Sequence, residues 1–320
     1  MIYIERESTD PCFWFGLENY LMQSQTLDDD VFLLWRVKPT LMLGRYQNAA
    51  AEIDEAYAKK RGVLTTRRVT GGGAIYADLG SWQFSFIKRG RGRQIDFVEF
   101  VLPVLDALRR MGFDAVMSGR NDLTIGGKKF CGNAQYRLGG RVLHHGSVLF
   151  QTDLEEMESC LTVDNEKFIS KGVSSLRQRV TNLKGHLSGN IGSAEFGERL
   201  SRLLTAGAKR QALAPADVEA IEQTYAPLFR GWDWVYGKSP DFQVKSAKRL
   251  AGGRVEVEKG VITDCVIGGD FFFAGDICAI TERLRGCRYD RDSVYAALSD
   301  VMKRQPFYMI NLDALVSCIV

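Results

Sequence analysis

The chain lacks the sequence signals of several large protein classes. Its seven cysteines are scattered and include no Cys-x-x-Cys pair, which argues against a zinc site or a disulfide scaffold and favours a reducing compartment. There is no apolar run of about 18 residues and no apolar N-terminal segment typical of a signal peptide. The net charge of +3 is too small to indicate a nucleic-acid or membrane partner. We therefore expect a cytoplasmic protein with neither kind of partner.

The chain has the length and composition of a two-domain globular protein. It has 320 residues, of which 45% are hydrophobic and 25% are charged. We expect an α+β fold. A large catalytic domain of mixed β-sheets flanked by helices covers residues 1–240, and a small α+β accessory domain covers residues 241–320. The accessory domain is predicted to contain a hairpin in RVEVEKGVITDCVI and helices that begin near Asp276, Asp290 and Asn311.

The most informative stretch is RRVTGGGAIYADLGS, residues 67–81. Three consecutive glycines let the backbone approach a bound molecule closely, with N–H groups available as donors. Arg67, Arg68 and Thr70 stand beside them, so the segment is suited to a phosphate or a carboxylate. A plain hairpin turn is the alternative. Neither GxxxxGK[ST] nor GxGxxG is present, so the residues alone predict an anion-binding loop of unassigned type.

A second informative block, residues 119–150, predicts three antiparallel strands joined by tight turns at two pairs of glycines. Lys129 is followed by the apolar residues Phe130 and Cys131. Beside a bound anion it is a fixed positive charge for a transition state, and the alternative is a surface lysine on an edge strand. For Cys131 we favour a buried structural thiol over a nucleophile. His144 and His145 are adjacent, so they cannot both face one side of a strand, which weakens a two-histidine metal site.

Two basic segments remain open to more than one interpretation. GRGRQ, residues 90–94, resembles a loop of biotin ligases, but between a strand and a helix a solvated basic turn explains it better. KGVSSLRQRVTNL, residues 171–183, is suited to a loop that closes over phosphates, and a solvated connection is equally compatible with the pattern.

Six segments in order along the chain resemble lipoate-protein ligase A of the two-domain bacterial type. They are GRYQN (44–48), RRVTGGGAIYADLG (67–80), GRNDLTIGGKKFCGNAQ (119–135), HHGSVLF (144–150), KGVSSLRQRVTNL (171–183) and WDWVYGKSP (232–240). In that family lipoate attacks the α-phosphate of ATP, which gives lipoyl-adenylate and pyrophosphate. The ε-amine of a lysine on an acceptor domain then displaces AMP. The acceptors are the glycine cleavage H protein and the E2 subunits of 2-oxoacid dehydrogenases.

The resemblance implies a role for each matching residue. Lys129 corresponds to the essential lysine and is expected to contact the lipoyl carbonyl and the α-phosphate, while residues 171–183 would form the adenylate-binding loop. The residues expected to bind ATP or the adenylate are Arg68, Gly73, Ala74, Ile75, Tyr76, Lys129, Lys171 and Arg179. The residues expected to bind lipoate are Thr70, Gly71, Gly72, Gly73, Lys129 and His145. Mg²⁺ is expected with ATP, and Asp122 is the candidate ligand.

This chain departs from the family pattern at two places. The family usually has HDLGN after the glycine loop, and Ala77 here replaces the histidine, so any role of that histidine is absent or is supplied elsewhere. Cys131 replaces a common serine, which is a near-isosteric change.

Three other functions compete with the ligase, which we expect to act as a monomer. The first is an ATP-independent octanoyl or lipoyl transferase of the same superfamily. The second is a non-catalytic lipoate-binding or regulatory protein. The third is a biotin ligase, which would rest on GRGRQ alone. The accessory domain and the segment 171–183 favour the ligase over the transferase.

Overall fold

A large mixed sheet forms the centre of the first domain in this computed structural model. The structure describes residues 1–24, 29–90, 95–162, 179–187, 189–239, 253–258, 261–288 and 291–319. The strands of the large sheet are β1 (Ile2–Ile4), β2 (Val31–Trp35), β6 (Ser81–Arg89), β7 (Val116–Ser118), β8 (Asp122–Ile125), β9 (Lys128–Leu138), β10 (Arg141–Leu149) and β11 (Lys209–Gln211). Their order is β11-β1-β2-β6-β10-β9-β8-β7. The β11–β1 and β1–β2 pairs are parallel, and the other pairs are antiparallel.

A smaller sheet carries the glycine-rich segment. It contains β3 (Thr40–Leu43), β4 (Leu64–Arg67) and β5 (Ile75–Ala77), with β3 in the middle. β3 runs parallel to β4 and antiparallel to β5, so the chain must reverse direction between β4 and β5. The three glycines occupy that reversal.

Helices cover both faces of the large sheet. Those of the first domain are α1 (Pro11–Gln23), α2 (Ala49–Glu52), α3 (Glu55–Arg61), α4 (Val98–Arg110), α5 (Leu154–Cys160), α6 (Ser193–Leu204), α7 (Pro215–Ala220) and α8 (Trp232–Val235). α4 and α6 pack over one face, where the phenylalanines of β2, β6 and β9 form the larger core. α1 and residues 221–230 cover the other face. Because neighbouring side chains on a strand point to opposite faces, adjacent residues of β10 enter different cores.

The central meander is confirmed. β8, β9 and β10 are consecutive antiparallel neighbours, and all four glycines of the two predicted turns have positive φ, from 55° to 78°. Residues other than glycine rarely adopt that backbone conformation, so the glycine pairs determine where the strands reverse.

The accessory domain has its own small core. Its elements are β12 (Gly253–Glu258), β13 (Val261–Ile267), α9 (Ile277–Leu284), α10 (Arg291–Arg304) and α11 (Leu312–Ile319), with β12 and β13 antiparallel. The predicted caps at Asp276 and Asn311 are confirmed, because their carboxylate and amide oxygens accept backbone N–H bonds from Cys278 and Ala314. Asp290 and the predicted boundary at 240/241 lie outside the described residues.

The architecture agrees with the predicted α+β class, with mixed sheets flanked by helices and an α+β unit at the C-terminal end. None of the described helices combines the length and the apolar character needed to cross a bilayer.

His144 is a fully buried, hydrogen-bonded core residue on the α4 side of β10. Its Nδ1 lies 3.0 Å from Gln135 Nε2, and its Nε2 lies 3.1 Å from Asn133 Oδ1. The amide nitrogen can only donate and the amide oxygen can only accept, so the hydrogen of this neutral imidazole is on Nε2. The ring stacks on Phe100 at 4.9 Å. Burial, with smaller contributions from the charges of His145 and Lys88, sets the pKa of His144 well below its ordinary value.

We predict that His144 makes the protein less stable in mild acid. An unfolded histidine binds a proton below about pH 6.5, whereas the folded His144 does not, so the free energy of unfolding should fall by about 1.4 kcal/mol per pH unit below that value. Urea titrations at pH 7.0 and 5.5 measure the loss, and His144→Gln should reduce it. The control is His186→Gln at an exposed position. An equal loss in the wild type and in His144→Gln would contradict the assignment.

Candidate functional site

A buried arginine shapes the glycine loop. Arg68, which is 5% exposed, follows β4, and its Nη2 donates to Gly71 O at 2.9 Å and to Gly73 O at 2.8 Å. Its Nη1 donates to Met42 O at 2.8 Å, and its Nε donates to Thr70 Oγ1 at 2.9 Å. Among the described residues no carboxylate forms an ion pair with it, and burial lowers its pKa to about 10. At neutral pH Arg68 therefore remains a cation held directly beneath the loop.

The accessory domain covers part of the same loop. Gly72, with φ of +95°, donates its N–H to Phe271 O at 3.3 Å. A Cβ on Gly71 would stand 2.0 Å from the same carbonyl oxygen, so no larger side chain fits there. The expectation that the N–H groups of the loop are free therefore does not hold at Gly72 in this conformation.

An acidic residue of the accessory domain accompanies this contact. Asp270 Oδ2 lies 3.4 Å from the position of a Cβ on Gly73, and Asp270 Oδ1 lies 3.7 Å from Arg120 Nη2. The guanidinium of Arg120 also covers the ring of Phe272 at 4.9 Å. The segment 270–272 thus places the carboxylate of Asp270, the carbonyl oxygen of Phe271 and the ring of Phe272 against the predicted anion-binding surface.

Arg67, next to Arg68, stabilises other segments of the first domain instead of the glycine loop. It is fully buried, and it donates to the carbonyl oxygens of Gly44 at 2.8 Å, Gln47 at 2.7 Å and Val235 at 2.8 Å, and to Ser239 Oγ at 3.0 Å. It therefore ties the GRYQN segment to the last described residues of the first domain. Contact of this side chain with a ligand is not compatible with its burial.

Lys129 lies at the start of β9 with a carboxylate partner. Its Nζ is 2.8 Å from Asp122 Oδ1, and its side chain is 41% exposed. Its backbone pairs with the C-terminal part of the predicted adenylate loop, because Lys129 N donates to Arg179 O at 2.8 Å and Thr181 N donates to Lys129 O at 2.9 Å. Burial lowers the pKa of Arg179, and the nearby charge of Asp122 opposes that effect. The structure thus brings Lys129, Asp122 and Arg179 together.

Lys129 and the glycine loop share one face of the large sheet. Lys129 Nζ lies 3.0 Å from the position of a Cβ on Gly132, and Gly132 pairs with Ser147 across the β9–β10 ladder. Directly paired residues of antiparallel strands point to the same face, as do residues two apart on one strand, so this is also the face of His145. The imidazole of His145 contacts Thr70. Its neighbour His144 points to the opposite face, as predicted.

A buried carboxylate extends this polar cluster. Glu18 on α1 is 1% exposed and accepts a hydrogen bond from Ser85 Oγ at 2.6 Å. His145 Nδ1 lies 3.1 and 3.2 Å from its two carboxylate oxygens, and His145 Nε2 lies 2.8 Å from Thr70 Oγ1. The carboxylate of Glu18 therefore has buried partners on both β6 and β10.

Cys131 is not suited to nucleophilic catalysis. It is 1% exposed and points into the core on the α4 side, and burial raises its pKa to about 12. The thiolate, which is the reactive form, is therefore rare at neutral pH.

The remaining predicted residues differ in how accessible they are. Gly73, Ala74 and Ile75 are the partly exposed residues of the loop, and they provide a surface for a ligand. Tyr76 is 2% exposed and packs in the core of the small sheet. Ala77 is fully buried. Lys171 and the segment 90–94, apart from Gly90, lie outside the described residues.

Within the described ranges, no group of three or more His, Cys, Asp or Glu side chains is arranged to hold a metal ion. Asp122 is the acidic residue next to Lys129. A single carboxylate is compatible with Mg²⁺ bound mainly through substrate phosphates and water.

Two residues of this site were not identified from the sequence. Glu18 and Asp270 each lie in segments without a distinctive motif, so neither one carries a local signal. Arg67 does have a signal, since it is the first arginine of RRVTGGG, but the pattern does not reveal which of the two arginines stabilises a distant segment.

Comparisons with known proteins cover both parts of the chain. Residues 10–205 match the lipoyl protein ligase A/B catalytic domain, and residues 239–319 match the bacterial lipoate protein ligase C-terminus. Lipoate-protein ligase LplJ of Bacillus subtilis is 34% identical over 98% of each protein. Lipoate–protein ligase 1 of Staphylococcus aureus is 31% identical over 91% of each.

Solved structures show the same fold. The P. falciparum LipL1 structure in complex with lipoate aligns with a TM-score of 0.75 at 23% identity, over 99% of this chain and 98% of that one. A lipoate-protein ligase A structure bound with ATP aligns with a TM-score of 0.59 over 74% of this chain. With both domain models matched and relatives above 30% identity over almost the whole length, the chain belongs to the lipoate-protein ligase family.

Proposed function

We propose that this chain is an ATP-dependent lipoate–protein ligase, which activates lipoate as lipoyl-AMP and transfers the lipoyl group to a lysine ε-amine of an acceptor domain. The observation that carries the proposal is the shared sheet face of Lys129 and the Arg68-supported glycine loop. The two cations flank the place where a carboxylate must meet a phosphate. The relatives named as lipoate-protein ligases support the same chemistry.

Activation places growing negative charge between these groups. When the lipoate carboxylate attacks the α-phosphate, charge passes to the phosphoryl oxygens and to the pyrophosphate leaving group. The ammonium of Lys129 contacts the lipoyl carbonyl and the α-phosphate, which requires it to exchange Asp122 for the substrates. Arg68 contributes its fixed charge through the loop, while Gly73, Ala74 and Ile75 present the backbone to the adenylate. Fixed cations are most effective where charge develops in a site that excludes water.

The other site assignments belong to the same proposal. Thr70, Gly71, Gly72 and His145 bind lipoate, and Tyr76, Lys171 and Arg179 bind ATP or the adenylate. Asp122, freed from Lys129, and the phosphates of ATP would hold Mg²⁺, which neutralises pyrophosphate charge. The glycine cleavage H protein and the E2 subunits of 2-oxoacid dehydrogenases are the proposed acceptors. We place the domain boundary at 240/241 and expect a cytoplasmic monomer.

Substitution of Lys129 tests the proposal. We predict that Lys129→Ala lowers lipoate-dependent pyrophosphate release by about a hundredfold or more, because one preorganised charge contact is worth about 3 kcal/mol in a transition state. The control is Lys128→Ala, an exposed lysine on the same strand, which should retain normal activity. Circular dichroism and the melting temperature confirm folding. Equal activity in both variants would remove Lys129 from the mechanism.

The same assay separates the ligase from the transferase. A transferase forms no adenylate, so pyrophosphate should not appear, and octanoyl-loaded carrier proteins should be its donors. Mass spectrometry of H protein and E2 domains incubated with enzyme, ATP, Mg²⁺ and lipoate shows whether an acceptor gains a lipoyl group. Lipoylation without ATP, or the absence of lipoate-dependent pyrophosphate, would overturn the proposal.

We also predict that the accessory domain moves when the adenylate forms. Phe271 O accepts the hydrogen bond of the Gly72 N–H, and Asp270 places a negative charge against the loop. A bound phosphate must therefore displace both. Small-angle scattering with and without a non-hydrolysable lipoyl-adenylate analogue measures the change in shape. Hydrogen exchange at the Gly72 amide reports the local contact. An unchanged envelope together with unchanged exchange would contradict the movement.

A further inference from the structure

Four buried side chains form an unbroken chain from α1 to the glycine loop. In order they are Glu18, His145, Thr70 and Arg68, and consecutive members are 2.8 to 3.2 Å apart. Each is less than 9% exposed. The two formal charges, on Glu18 and Arg68, stand at the ends, and a neutral hydroxyl and an imidazole lie between them.

The hydrogen bonds of Thr70 depend on the protonation state of His145. Thr70 Oγ1 accepts the hydrogen of Arg68 Nε, which leaves one hydroxyl hydrogen and one lone pair. When His145 is neutral, Nδ1–H donates to Glu18 and Nε2 accepts the hydroxyl hydrogen of Thr70. When His145 is protonated, Nε2–H donates to Thr70, and the hydroxyl of Thr70 must turn to another acceptor.

The formal charges of these four side chains balance when no anion is bound and His145 is neutral. Glu18 and Arg68 cancel one another while His145 is neutral. A carboxylate bound at the loop adds one negative charge, and uncompensated charge in a buried environment is costly. A proton on His145 restores the balance and also directs the Thr70 hydroxyl toward the new acceptor. We propose that Glu18 is a positioning residue for His145 and the glycine loop, and that lipoate binding there is coupled to proton uptake at His145.

Among the described residues, the charged groups hydrogen-bonded into this series around His145 are Glu18 on α1 and Arg68 before the loop. His144 is the adjacent titratable residue on the opposite face of β10, and Lys129, paired with Asp122, lies on the same sheet face as His145. The facing residues on β6 and β9 are Ser85 and Ala134, neither of which titrates. A change in proton binding that depends on Glu18 can therefore be assigned to this chain of groups.

Calorimetry of lipoate binding tests the inference, which rests on the proposed function. Lipoate is titrated into the full-length protein at pH 8 in buffers that differ in ionisation enthalpy, and the buffer dependence gives the number of protons taken up. We expect up to one proton per lipoate in the wild type, with the affinity falling up to about tenfold per pH unit, since lipoate itself is fully ionised there. Glu18→Gln keeps the length and an acceptor oxygen but removes the charge, so it should bind lipoate with almost no proton uptake.

Three variants complete the design. His145→Gln should also abolish uptake. Ser85→Ala removes the hydroxyl donor of Glu18 but keeps the carboxylate, so it should retain uptake. Asp10→Asn removes a carboxylate at the N-cap of the same helix while Asn still caps, and should behave as the wild type.

The outcomes separate the two proposals. Wild-type protein that binds lipoate without proton uptake, or Glu18→Gln with unchanged uptake, would overturn the coupling and leave the ligase intact. Wild-type protein that does not bind lipoate would overturn the proposed function, and the inference with it.

Discussion

The site depends on a buried cation that is satisfied by backbone oxygens. Transfer of a guanidinium from water into a protein interior is costly unless its donors are paired, and Arg68 pairs them with carbonyl groups on both sides of the glycine loop. The loop can therefore not relax without leaving a buried charge unsatisfied. A lysine could not replace Arg68, because an ammonium lacks the fork of donors that reaches Gly71 and Gly73 together. The charge and the shape of the loop are thus set by one side chain.

Local patterns in the sequence predicted the elements that depend on local chemistry. Gly126-Gly127 predicts its turn because positive φ is a property of the residue itself, and Asp276 predicts a helix start because the side chain caps its own backbone. β11 shows where this fails. Residues 209–211 are exposed, and they form a strand only because β1 offers a parallel edge. Only the fold can reveal such an edge.

The motifs of the site could be predicted from the sequence, but the long-range contacts between its residues could not. The glycine loop was identified from its residues and Lys129 from the family resemblance, and the structure places both on one face of the sheet. Glu18 was not identified as a site residue, because its partner His145 lies 127 residues away. The hydrogen bond from Gly72 N–H to Phe271 O could not be predicted either, because a contact between two domains leaves no periodicity in the sequence of either one. Long-range pairs of this kind decide which donors of a motif are available.

Arg67 determines which parts of the site can move. Its bonds to Gly44 and Gln47 fix the segment that carries Tyr46, whose ring stacks on Phe271 at 4.7 Å. These bonds, like those of Arg68, lie entirely within the first domain, whereas the stack and the Gly72 contact cross to the accessory domain. In the proposed movement the crossing contacts break and the arginine bonds remain. The glycine loop therefore keeps its shape while its outer surface is uncovered. Nucleotide binding is opposed by contacts between the two domains, among them the stack of Tyr46 on Phe271 and the hydrogen bond from Gly72 to Phe271, and not by refolding of the loop.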